Sequence, residues 1–397
     1  MGTVGENIDP NRTNLINIFK EINTSAFLDD WGPAHVLQVY NPDNEVYGIL
    51  VIDNTTLGPA LGGISISPTL TPYEVFQQAR TMTLACALAN VKFGGAAAGI
   101  KANPREIDIL RTVKTFAKEI SPFVPGHFIA APRTHIGQDE IAAFIEEIGD
   151  NRGATGKPEH MGGIPYELGV IGLGIGVAIK TVIEGGQLSP IVPSSFSKTR
   201  IAIQGFGNVG RTIAKFLSNN DVKIVAISDE KGAIHDPEGI ELEKVLRTLT
   251  LSNGKNSVRN CNGYKSITAE EMLGIDCDVL ILCNGKKSIN EENVSSIKSK
   301  LLVESENNSI SFIADQILTN KGILVLPDIL TMTGGAISSY AETNRNGSEM
   351  AFSLIESTIQ DVTNQVVQRS VETGLSLRRI AQEMAKQKLL EAKEAEE

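Results

Sequence analysis

Apolar positions along this chain follow two different rhythms. Val46 to Asp53 is a short apolar run of strand type, and Tyr73 to Ala89 carries apolar residues at helical spacing behind Thr71-Pro72, which mark a helix start. Further helical segments follow, broken by Pro104, Pro122, Pro125 and Pro132. Gly185 to Lys198, GGQLSPIVPSSFSK, clusters Gly, Pro and Ser between two periodic segments and reads as a linker. Beyond it, short β-branched runs alternate with helical patterns: Arg200–Gln204, Val222–Ile227, Asp278–Leu282, Leu301–Glu304 and Gly322–Leu326. That alternation predicts a parallel, doubly wound sheet and an α/β fold class. From Ser348 the chain is helical again. Phe352, Ile355, Ile359, Val362 and Val366 form one core-facing stripe, Gly374 ends that helix, and Ser376 with Leu377, Ile380, Ala381 and Met384 opens another. The Glu/Ala/Lys tail after Leu390 is expected to fray in solvent. The segmentation predicts three regions, 1–187, 188–345 and 346–397.

Length supports more than one domain, since 397 residues exceed the usual size of a single core. With 36 basic and 47 acidic side chains the formal charge is −11, which disfavours nucleic acid and anionic membranes as partners. The longest uncharged stretch, Asn54 to Tyr73, is interrupted by prolines, and Leu168 to Ile179 is too short and Gly-rich for a membrane span. No secretory signal is legible at the N-terminus, so a cytoplasmic protein is expected. Cys86, Cys261, Cys277 and Cys283 show neither C-x-x-C spacing nor a His cluster, so free buried thiols and no metal site are expected.

The sharpest chemical signal is Ile201-Ala-Ile-Gln-Gly205-Phe-Gly207-Asn-Val-Gly210, which places G-x-G-x-x-G directly after a strand and before an amphipathic helix. Glycines there permit a tight turn and let backbone N–H groups approach a pyrophosphate at the positive end of the helix dipole. The next strand ends at Asp229, whose carboxylate is suited to ribose hydroxyls. The bound group is then NAD or NADP. Asp229 favours NAD by repelling a 2′-phosphate, although Lys231 offsets this in part. A purely structural glycine turn is the alternative.

With these motifs in place, the chain resembles the glutamate/leucine/phenylalanine/valine dehydrogenase family from about residue 35 to about residue 385. The resemblance is carried by Thr55-Thr-Leu-Gly-Pro-Ala-Leu-Gly-Gly63, Met82-Thr83, Phe93-Gly-Gly95, Ala154-Thr-Gly-Lys-Pro158, Gly162-Gly163, the glycine loop, Ser228-Asp229, Pro237-Glu-Gly239, Val325-Leu-Pro-Asp-Ile-Leu330 and Gly334-Gly335. It implies that residues 1–187 bind substrate and carry oligomer contacts. By the same token 188–345 bind the dinucleotide through Gly205, Phe206, Gly207, Asn208, Val209, Gly210, Asp229 and Asn307, and 346–397 return to the first domain. It also implies a substrate pocket of Leu61, Gly62, Gly63, Arg133 and Ser339, and a hexamer.

Oxidative deamination in this family rests on two lysines and an aspartate, which hold the α-carboxylate and move protons. Carried over by motif, these positions are filled by Ala85, Ala97 and Arg133. Alanine exchanges no proton, and arginine stays protonated. Leu61 replaces the lysine that grips a glutamate side chain, as in leucine-type members. Ile171, Leu173, Ser305, Glu306 and Met332 alter the nicotinamide side. His135, Lys92 and Lys101 are the nearest replacements for a base. Three functions therefore stand: a catalytically impaired regulatory or ligand-binding subunit, in a homo-oligomer or beside an active paralogue; an active NAD(P)-dependent glutamate or branched-chain dehydrogenase with displaced groups; and a dinucleotide sensor.

Overall fold

The computed structural model describes residues 28–189, 191–250, 257–285 and 288–396. The first unit is built from β1 (His35–Asn41), β2 (Val46–Asn54), β3 (Ala60–Ile66), α1 (Pro72–Leu88), β4 (Gly94–Ile100), α2 (Ile109–Ile120), β5 (Phe128–Pro132) and α3 (Gln138–Ile148). Its sheet runs β1-β2-β4-β3-β5, with β1, β2 and β4 antiparallel and β3 parallel to both β4 and β5. Every residue of β3, β4 and β5 is buried, because helices cover both faces. Phe116, Phe128 and Phe144 fill the α2/α3 side, and Val75 and Ala79 of α1 meet Ile49, Val51 and Ala97 on the other. α1 starts where the sequence places it: Thr71 Oγ1 accepts from Glu74 N and Glu74 Oε2 accepts from Thr71 N, a reciprocal cap.

α4 (Val170–Glu184) leads through the linker into the second unit. There follow β6 (Arg200–Gln204), α5 (Asn208–Asn219), β7 (Lys223–Asp229), β8 (Gly232–His235), α6 (Leu242–Thr250), β9 (Lys265–Ile267), α7 (Ala269–Leu273), β10 (Val279–Leu282), β11 (Leu301–Glu304), α8 (Phe312–Asn320) and β12 (Leu324–Leu326). The strand order is β12-β11-β10-β6-β7-β8-β9. β12 through β7 are parallel, as expected for a doubly wound sheet. β8 and β9 extend it antiparallel, which the sequence reading did not anticipate.

α9 (Asp328–Thr331), α10 (Thr333–Thr343), α11 (Ser348–Thr373) and α12 (Leu377–Glu396) complete the chain. On α11, Ile355, Ile359, Val362 and Val366 are buried and the helix packs on α4. α12 returns to α1, where Lys388 Nζ donates to the Leu88 carbonyl at 3.2 Å and so caps the last turn. The tail after Leu390 is helical to Glu396 rather than frayed, in keeping with its Ala, Glu and Lys content and a Gln387–Glu391 hydrogen bond one turn apart. Near the start of α12, Arg378 reaches the second sheet, with contacts of 2.6 Å to Glu304, 3.2 Å to Asp328 and 3.3 Å to Asp315. Cys86, Cys261 and Cys277 are buried free thiols, and Cys283 is half-buried. Among the described residues no helix is long and apolar enough to cross a membrane, and no cluster of potential metal ligands occurs.

Candidate functional site

β6 hands the chain to Gly205 at φ +96°, where a Cβ would lie 2.3 Å from the Cys283 carbonyl oxygen; a Cβ on Gly210 would lie 2.1 Å from the Gly205 oxygen. Both positions therefore require glycine. α5 begins at Asn208 with Gly207 as its cap, and among the described residues no side chain caps its first turn, which leaves the N–H groups a phosphate needs. Phe206 is buried, and its carbonyl accepts from Arg211 Nε at 3.0 Å; Asn208 is exposed and Val209 half-buried. Asp229 stands at the end of β7 but is already engaged. Its Oδ1 accepts from Lys231 N (2.9 Å) and Ser257 Oγ (2.8 Å), and Oδ2 from Val258 N (2.7 Å). With about four acceptor directions on a carboxylate, the described residues leave one for a ribose hydroxyl.

The substituted positions cluster around α1. Ala85 is fully buried on α1, and Ala97 lies on β4 beneath that helix among Ile49, Val51, Val75 and Ala79. Leu61 is fully buried in the core that holds Met82, Leu84 and Phe93. A Cβ on Gly62 would meet the Ala96 carbonyl at 2.4 Å, and one on Gly63 would meet Arg133 Cβ at 2.9 Å. The bare Cα of Gly63 thus leaves room for the Arg133 stem.

Arg133 follows β5 and crosses from the first unit to the second, where its Nη2 donates to Asn307 Oδ1 at 2.5 Å. Asn307 follows β11, is 2% exposed, and turns its Nδ2 to Asp328 Oδ2 at 3.5 Å. Burial lowers the Arg133 pKa, while the nearby Glu306 and Asp328 charges oppose that shift. The guanidinium remains a cation in either case.

Ser339 sits in a chain of hydroxyl groups. Thr155 Oγ1 donates to its Oγ at 2.8 Å, and its Oγ lies 2.9 Å from the Tyr166 hydroxyl, which donates to the Gly335 carbonyl at 3.2 Å. Since each hydroxyl has one proton, the chain runs Thr155 to Ser339 to Tyr166 to Gly335. Burial pushes the Tyr166 hydroxyl pKa up, so it stays neutral. Sequence reasoning missed Tyr166, which has no motif of its own, and also the buried Lys157–Glu342 pair at 2.5 Å, although Lys157 lies in the quoted Ala154–Pro158 segment. It missed Asp53 as well, a fully buried carboxylate held by Arg80 Nε at 2.8 Å and Thr83 Oγ1 at 2.6 Å. Of the replacement bases, His135 Nδ1 is bonded to the Ile66 carbonyl at 3.0 Å and Lys92 is exposed.

Residues 33–150 match the family model described as Glu/Leu/Phe/Val dehydrogenase, dimerisation domain, and residues 162–396 the model described as Glutamate/Leucine/Phenylalanine/Valine dehydrogenase. A glutamate dehydrogenase of Aeropyrum pernix is 33% identical over 332 residues, 79% of this chain and 77% of that one. An NADP-specific glutamate dehydrogenase of Saccharolobus shibatae is 32% identical over 309 residues, 74% of this chain and 70% of the other. Among solved structures, the hetero-hexameric glutamate dehydrogenase of Thermus thermophilus in its Leu bound form superposes with a TM-score of 0.82 at 24% identity, covering 98% of this chain and 97% of its own.

Proposed function

The chain belongs to the glutamate/leucine/phenylalanine/valine dehydrogenase family, and from that premise we propose that it is a non-catalytic, ligand-binding subunit. One observation carries this reading. Where the family's chemistry calls for an aspartate, Arg133 instead bridges the cleft to Asn307, and the two lysine positions are the buried Ala85 and Ala97. Loss of one positioned acid or base costs about 10²–10⁴ in rate, and the losses need not multiply, yet a single one leaves little turnover. The candidate substitutes do not favour the alternative of a working enzyme, because His135 Nδ1 is bonded to a backbone carbonyl and Lys92 is exposed.

In this reading the first unit, residues 1–187, carries the oligomer contacts. Residues 188–345 hold the nucleotide, 346–397 tie the units together, and the protein acts in the cytoplasm as a signal-binding member of a hexamer. The Thermus thermophilus enzyme of the same fold is a hetero-hexamer in its Leu bound form, which supports an assembly with an active paralogue and an amino acid as the signal. The test is to purify the protein free of any paralogue and follow NADH and NADPH formation with glutamate, leucine and valine. No turnover is expected, and A85K/A97K/R133D is expected to acquire it. Robust turnover by the unaltered chain would overturn the reading and establish displaced catalytic groups.

A further inference from the structure

In a doubly wound sheet a dinucleotide lies along the carboxyl ends of the strands, one half on either side of the point where the strand order reverses. Here the reversal falls between β6 and β10. On the β6–β7 side the cradle is open: Gly205 and Gly210 keep the loop tight, the first turn of α5 has no side-chain cap, and Asp229 retains an acceptor direction. Gln204, just before the loop, is buried, and its amide oxygen has no hydrogen-bond partner among the described residues. A nucleotide hydroxyl or amine would satisfy it.

On the β10–β11 side the space is taken by the protein itself. Arg133 lies over Gly63 and donates to Asn307 Oδ1, while Asn307 Nδ2 turns to Asp328. A nicotinamide seated at Asn307 would displace the guanidinium and leave that buried oxygen unpaired. The residues thus fit the adenosine and pyrophosphate part of NAD(P) and not its reacting end.

We propose that Arg133 is an internal occupant of the nicotinamide half, and that the chain accordingly binds adenine nucleotides ending at the diphosphate in preference to NAD(P). The proposal rests on the reading of the chain as a non-catalytic subunit and names the ligand class of its second unit. A terminal phosphate suits the start of α5, where no described side chain caps the helix, whereas the distal half of a dinucleotide has no seat.

The experiment is calorimetric titration of the full chain with ADP, NAD⁺ and NADH. The unaltered protein is expected to bind ADP about tenfold more tightly than NAD⁺. In R133M, which keeps the apolar stem over Gly63 but removes the fork, NAD⁺ and NADH binding should tighten about tenfold while ADP changes little. R133A serves if R133M does not fold. NAD⁺ binding as tight as ADP in the unaltered chain, an unchanged ratio in the variant, or no binding of any of the three overturns the proposal. Turnover with amino acid and NAD⁺ would instead sink the reading beneath it, so the two failures are told apart.

Discussion

Glu304 is fully buried at the end of β11, and the protein solvates it with its own groups. Ile310 N donates to Oε1 at 3.0 Å, Asp328 N to Oε2 at 3.2 Å, and Arg378 Nη2 reaches Oε2 at 2.6 Å. Burial nevertheless pushes its pKa up to about 7, with Arg378 opposing the shift and Asp328 reinforcing it. A raised carboxyl pKa means that the folded chain holds this proton where the unfolded chain has released it. The resulting stability is complete below the ordinary glutamate range and is lost as pH rises to about 7. E304Q, which stays neutral, should therefore gain stability relative to the unaltered protein as pH climbs from 5 to 8, measured by urea midpoints at each pH. A constant difference between the two would refute this. Single residues were the least legible level. Ala85, Ala97 and Arg133 could be found by their place in motifs, but the partner of Arg133 lies 174 positions away, and no local pattern encodes such a contact.

Elements were legible where punctuation and period agreed. Thr71 and Pro72 announced α1, and the β-branched runs announced the parallel strands, because capping and pleating act on neighbouring residues. β8 and β9 escaped notice because Gly232–His235 and Lys265–Ile267 are too short for a period to show. The contact of α1 with β4 is equally silent in sequence. A Cβ on Gly95 would lie 2.0 Å from Thr83 N, so the strand must lack a side chain for the helix to settle. G95A should push the two apart and cost about 1–3 kcal/mol as an overpacked core position, read as a fall in the denaturant midpoint. A stability equal to the unaltered chain would show that α1 can shift without loss.

At the scale of the whole molecule, motif order along the chain was enough to place the fold, since it reports how the strands are strung together. What it could not report are the ties between units. Lys157, which follows the first sheet, pairs with Glu342 on α10, which follows the second; both are buried, and Glu342 Oε2 also accepts from Gly156 N and Ile164 N at 2.9 and 2.7 Å. Removing one member of such a pair strands the other charge, so K157M should cost about 3–5 kcal/mol, visible in chemical denaturation. A loss under about 1 kcal/mol would show instead that the pair is solvated like a surface bridge.

The return of α12 to α1 also sets an order of events during synthesis. Lys388 seals the end of α1 at Leu88 from 300 positions downstream. At about 5–20 residues per second, the ribosome leaves that side of the nascent first unit bare for about 15–60 s. Throughout that interval its apolar surface is open to chaperones and to neighbouring nascent chains.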